Sequence, residues 1–338
     1  MFNCCTLFNT GFLTRGLSLY HSLVQTSAEF CLYILAFDDF TLNYLGKLAL
    51  PSMVVISMEE FEDAELLRIK NTRSAAEYCW TCASSAILYV LEKYRVPSCT
   101  YLDADVLFYA DPNLIENTLD GYSIGITPHR YALGSIRKSA QSHGNYCVQY
   151  VTIRNDKLGL EAVRWWRERC IEWCFGRLEE GKFGDQKYLD DWPTRFSGVK
   201  VIEDPGAGMA PWNAARYEVS GDAAIGFQLR DTSTAERAQL VFYHFHALRF
   251  YFEHRLNLVG GGYPLSPFVI KNLYRPYIEA QLACANEIQS FHPAIDPLGL
   301  SAPIWWKYYG TMLYSWVNSS YSNHYMSISQ LRQYGDNS

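Results

Sequence analysis

Two aspartates with one small residue between them end an apolar run, Thr100-Tyr101-Leu102-Asp103-Ala104-Asp105. Side chains at i and i+2 of an extended backbone point to one side, so Asp103 and Asp105 can converge. Two bare carboxylates at close range repel, which raises a pKa or calls for a counter-ion. Hard oxygen ligands of this kind favour Mg²⁺ or Mn²⁺. A turn after a strand also collects aspartates without any chemistry. The apolar lead-in and the small Ala104 favour a working pair.

The elements that must position this pair are alternating apolar strands and helical stretches. Strands are expected over 3–8, 30–37, 53–57 and 99–102, with helices over 14–24, 58–69 and 75–94 between them. That alternation predicts an α/β fold whose mainly parallel sheet is covered by helices on both faces. Ligands then bind beyond the carboxyl ends of the strands. Further strands are expected over 122–127, 146–153, 199–202 and 240–245. A Trp-rich helix is expected over 157–175 and a short one over 184–191. After residue 255 the chain turns Gly-, Pro- and Tyr-rich, then helical over 276–290. Residues 1–255 are therefore read as a catalytic domain and 256–338 as a helical and aromatic appendage packed on it.

Two chemistries use such an acidic pair. In a phosphatase of the haloacid dehalogenase type Asp103 would be a nucleophile, and the motif would sit on the first strand. In glycosyl transfer the pair carries a metal that chelates the diphosphate of a nucleotide sugar. Placement on the fourth strand favours the second, since three earlier strands can build a nucleoside pocket. A third reading is an inactive sugar-nucleotide or glycan-binding module.

Ordered blocks around the pair resemble the GT-A fold glycosyltransferases, above all glycosyltransferase family 8 and its bacterial relatives. They are Phe8-Asn9-Thr10 with Arg15-Gly16-Leu17, Arg73 with Glu77-Tyr78-Cys79-Trp80-Thr81, and Tyr101-Leu102-Asp103-Ala104-Asp105 with Asp111-Pro112. Further on come Gly144-Asn145-Tyr146-Cys147-Val148-Gln149, Gly184-Asp185-Gln186, Pro211-Trp212-Asn213 and His244-Phe245-His246. The family's Gly after its H-F-x is Ala247 here, and Arg249 is the cation nearest to its later Lys.

The resemblance implies Mn²⁺ or Mg²⁺ held by Asp105 and His244, with His246 as the alternative imidazole. Asp103 would be a ligand or would hold the ribose and a metal-bound water. Asp185 and Gln186 would meet the sugar's reacting face, in the manner of a retaining enzyme. Phe8, Asn9, Thr10, Arg15 and Asp38 would line the nucleoside, while Arg73 would reach the diphosphate. Asn145 would bond sugar hydroxyls, or merely tie a loop. Trp212, beside Asn213, would stack on an acceptor ring or fill a cleft. The implied partners are a nucleotide-sugar donor, with uridine as the expected base, and a glycan or lipid-linked acceptor.

Composition narrows the setting. Among 338 residues, 49% are hydrophobic and 19% charged, which excludes disorder and coiled coil. A net charge of −6 argues against nucleic acid as a partner. The ten Cys are irregularly spaced and are read as buried free thiols in a reducing, cytoplasmic setting. The aromatic segment 304–317 is too short and polar to span a bilayer. It could instead lie flat at the inner membrane face or pack on the catalytic domain.

Overall fold

The computed structural model describes residues 1–27, 29–132, 142–260, 263–301 and 325–334. Its first strand, β1 (Phe2–Phe8), is buried along its whole length and must be covered on both faces. The units α1 (Leu13–Thr26), β2 (Phe30–Ala36), α2 (Asp39–Leu48) and β3 (Met53–Ser57) follow. The expected helix over 58–69 is two, α3 (Met58–Phe61) and α4 (Ala64–Lys70). The cause is Asp63, whose carboxylate accepts from the backbone N–H groups of Glu65 and Leu66 and starts a new helix. Next comes α5 (Ala75–Tyr94), opened by a capping box between Ser74 and Glu77.

The strands β4 (Ser98–Leu102) and β5 (Val106–Phe108) flank the acidic pair. Then come α6 (Asn113–Glu116), β6 (Ile124–Pro128) and β7 (Tyr146–Arg154). The Trp-rich helix α7 (Lys157–Glu172) ends three residues before the expected boundary. A 3-10 turn over Gln186–Asp191 precedes α8 (Trp192–Arg195), β8 (Val199–Val201), β9 (Ala207–Met209) and α9 (Pro211–Ala214). Sequence periodicity missed the antiparallel sheet of β10 (Tyr217–Asp222), β11 (Gly226–Asp231) and β12 (Arg237–Gln239). Its turn signal was present. Asp222 caps Ala224 and Ile225, and Gly226 supplies a φ of +86°. After β13 (Phe242–His244), β14 (Arg249–Tyr251) and β15 (Arg255–Asn257) come α10 (Pro267–Val269) and α11 (Arg275–Phe291). The last described elements are β16 (Tyr325–Ser327) and α12 (Ile328–Gln333).

Seven strands form the main sheet, in the order β3-β2-β1-β4-β7-β6-β8. All its pairs are parallel except the two made by β7, which runs antiparallel to β4 and β6. Alternation along β1 sends Cys5 and Leu7 toward α5 and α7, and Cys4 and Phe8 toward α1 and α2. The result is the expected α/β architecture, helices on both faces of a mostly parallel sheet. The later chain is stitched to α1. Thr14 donates to the side-chain oxygen of Gln281 at 3.2 Å, and β14-β15-β16 form one small sheet across residue 255.

All ten cysteines are free thiols, buried or half-buried. No helix among the described residues is long and apolar enough to cross a membrane. The aromatic segment 304–317 lies outside the described residues.

Trp166 links the core to the ligand side of the sheet. It is fully buried, packs edge-on against Trp192 at 5.6 Å, and donates its indole N–H to the Asp185 carbonyl at 3.0 Å. Trp166→Ala is expected to cost about 3–5 kcal/mol, the usual range for deleting a large buried ring. It should appear as a lower urea midpoint; a midpoint equal to wild type would deny Trp166 this role.

Candidate active site

The acidic pair stands where β4 gives out. Asp103 and Asp105 do not share one extended strand, as the i, i+2 reading assumed. A tight turn carries them, with the Val106 N–H donating to the Asp103 carbonyl at 3.1 Å. Convergence is then completed by pairing. Strand β13 runs antiparallel to β5 with His244 opposite Val106, and the Phe245 N–H donates to the Asp105 carbonyl at 2.9 Å. His244 Nε2 consequently lies 3.0 Å from Asp105 Oδ1 and 3.6 Å from Asp103 Oδ2.

One ligand atom from each of the three residues lies within 4.8 Å of the others. Two carboxylates and an imidazole are a donor set for a divalent ion, and the group is compact enough to share one. His246 sits beside His244, ring centroids 5.5 Å apart, yet His244 is the one that faces both aspartates.

Burial and mutual charge split the acids. Burial pushes the Asp103 carboxyl up to about 6, with His244 opposing and Asp105 adding to the rise. Burial also works to raise Asp105, but the facing His244 overcomes it and holds Asp105 at about 2. Burial works against a charged His244, and Asp105 above all outweighs it, so the ring titrates well above an ordinary histidine. The third acid is Asp185, positioned by Gly184 in a left-handed turn with φ of +53°. Burial, then the nearby Asp103, raises its carboxyl to about 8. Gln186 follows, its side-chain N–H donating to the His143 carbonyl at 2.7 Å. Asn145 is exposed, and its backbone N–H donates to Asp190 at 2.6 Å.

The structure gives several other expected site residues framework contacts. Phe8 is buried, its ring packed against Gly16, where a Cβ would collide with it. Thr10 donates both its backbone N–H and its hydroxyl to Asp38 at 2.7 Å, and Asp38 also caps α2 through Thr41. Burial would raise Asp38, but these bonds hold it below the ordinary carboxylate range. Asn9 is exposed beside them. Arg15 is 3% exposed and donates to the carbonyls of Gly11, Leu298 and Leu248, so its guanidinium closes a loop junction. Arg73 stacks on Phe175 at 3.9 Å and donates to the Ile171 carbonyl. Arg249 is exposed on β14.

Trp212 and Asn213 are likewise interior. The Trp212 indole N–H donates to the His129 carbonyl at 2.8 Å, and its ring is ringed edge-on by His129, His244 and His246. It is 4% exposed and fills a cleft among these rings. Asn213 is sealed, donating to His129 and Gly208 and accepting from the Ala210 N–H. Sequence reasoning gave Gln149 no role of its own and did not single out His129, both buried near the site. Burial presses His129 down to about 3, so it stays neutral. The available signal was an amide in the middle of the buried run Tyr146–Arg154.

Taken with the sheet order, these features define a GT-A glycosyltransferase fold. The galactosyltransferase LgtC, solved in complex with donor and acceptor sugar analogues, superposes with a TM-score of 0.50 at 12% identity. The match covers 83% of this chain and 95% of that one. No protein-family model matches the sequence. Two Bacillus subtilis (strain 168) proteins do: YfnD, 30% identical over 86% of this chain and 92% of its own, and YfnF, 31% identical over 72% and 81%. YfnD and YfnF are both uncharacterized, and this chain belongs to their family.

The raised Asp185 carboxyl makes a pH prediction for protein freed of divalent ions. Its folded pKa lies above the unfolded value, so the native state holds the proton longer. Stability should fall as pH rises from about 4 to about 8, and level off beyond. Asp185→Asn should remove that slope, raising Tm more at pH 8 than at pH 5. Equal shifts at both pH values would contradict the buried acid.

Proposed function

We propose that this protein is a metal-dependent glycosyltransferase that moves a sugar from a nucleoside diphosphate donor to a hydroxyl of a glycan or lipid-linked acceptor. The observation that carries the reading is the Asp103–Asp105–His244 cluster, set beyond the carboxyl end of a strand in a GT-A fold. A uridine donor is the reading of choice, and the acidic pair favours Mn²⁺ or Mg²⁺ as the ion.

When bound, the ion supplies Lewis-acid stabilisation for the negative charge that develops on the departing diphosphate. The chain supplies the rest. Asp103, Asp105 and His244 gather the donor set, and Asp185 offers a carboxyl that keeps its proton near neutrality. Gln186, with its amide N–H tied to His143, has its side-chain oxygen to offer to the sugar. An amide cannot serve as the base that an inverting enzyme would need under the acceptor. This supports retention, with the leaving phosphate taking the acceptor proton. LgtC was solved with donor and acceptor sugar analogues bound, which supports the same two-substrate arrangement here.

Release of UDP from UDP-sugars with Mn²⁺ tests the class. Asp105→Ala should lower it by roughly 10²–10³-fold, as for loss of a group that stabilises developing charge. Unchanged turnover in that variant would remove the cluster from the mechanism. Stereochemistry is read from the anomeric proton of the product. An α-donor of gluco or galacto configuration should give a small coupling, and a large trans-diaxial one would contradict retention. Gln186→Ala should lower kcat while UDP binding stays near wild type.

A further inference from the structure

We propose that Gln149 is a positioning residue for the metal site. Its side-chain oxygen keeps the proton of His244 on Nδ1 and leaves Nε2 as the nitrogen available to a cation. The inference rests on the metal site of the reading above.

Gln149 is fully buried in the middle of β7, next to β4 in the sheet. Its Oε1 lies 2.8 Å from His244 Nδ1, on the opposite edge of the ring from the aspartates, which face Nε2 at 3.0 and 3.6 Å. An imidazole nitrogen that donates a hydrogen bond carries the proton and has no lone pair for a metal. An acceptor at Nδ1 therefore selects Nε2 as the ligand atom and fixes the ring's direction.

The other end of the amide shows that more than space-filling is involved. Gln149 Nε2 is buried and has no hydrogen-bond partner among the described residues. An apolar side chain of similar size would avoid leaving that group desolvated. The surroundings are also built to admit it. A Cβ on Gly208 would stand 2.6 Å from Gln149 Nε2, and Gly208 has a φ of +105°, a conformation that other residues rarely adopt. Strand β9, which carries Gly208, is pinned by Asn213 on the Gly208 carbonyl and Arg130 on the Ala207 carbonyl, both at 2.9 Å. It also pairs with β13, the strand of His244. The amide is thus held among β7, β9 and β13.

Mn²⁺ binding to the full chain, followed by the electron paramagnetic resonance signal of the free ion, tests this without turnover. Gln149→Leu should bind about 10–100-fold more weakly, the loss typical of removing a partner of a metal-bound histidine. Its ion-free melting temperature should stay at or above wild type. Gln149→Glu should restore binding close to wild type, because a carboxylate accepts the same bond and the orphaned N–H is not missed. Wild-type affinity in Gln149→Leu, or a Glu variant as weak as Leu, overturns the inference alone. No Mn²⁺ binding by the wild type overturns the metal site itself and this inference with it. A measurement on the unmutated protein covers a variant that fails to fold. With Cd²⁺ as a diamagnetic probe, ¹⁵N resonances of labelled His244 should show a protonated Nδ1 and a metal-bound Nε2; metal on Nδ1 overturns the proposal.

Discussion

Asp103 and Asp105 emerge from an apolar strand with their carboxylates facing the same histidine, all three ligand atoms within 4.8 Å. Like charges at that range need a positive partner, and the rest of this end of the molecule is arranged around supplying one. The partner comes from far along the chain. His244 reaches the pair because β13 lies antiparallel to β5, so the site exists only once strands more than a hundred residues apart have paired. Pairing of that kind contributes little until the intervening chain has folded, which couples the site to the integrity of the whole sheet.

A second ring of contacts explains why so many polar groups here are buried. Asn213 and Arg130 hold the strand that makes room for Gln149, and Trp212 wedges among three imidazoles while its N–H fixes the His129 carbonyl. Arg15 adds a buried positive charge that helps lower Asp105 while it closes the junction between α1 and the later chain. Protein oxygens hold the Asn213 amide and the Arg15 guanidinium rigidly in place. That rigidity suits a site whose ligand atoms must hold their geometry through a reaction.

Local signals made part of this legible in the sequence. The helix Ala75–Tyr94 is bounded by a Ser-x-x-Glu box and a proline, so its limits are written in the chain. The acidic pair stood out because carboxylates rarely end a buried run without cause. The resemblance blocks then pointed to the fold. What stayed hidden depends on tertiary pairing. The burial of Trp212 and Asn213 comes from β9 and α9 packing under His129, which no spacing rule reveals. The sealed guanidinium of Arg15 depends on carbonyls from residues 248 and 298. The sheet Tyr217–Gln239 was missed because its polar outer face obscures the alternation, although its turn residues announced it.

Anomalous scattering at the manganese edge, from crystals of the wild-type protein soaked with Mn²⁺ and UDP, tests the metal centre most directly. One strong peak should appear about 2 Å from His244 Nε2 and from an Asp105 carboxylate oxygen, with diphosphate oxygens completing its coordination. A peak away from Asp105 and His244, or UDP bound in its pocket with no metal between its phosphates and these residues, would contradict a metal-dependent transferase.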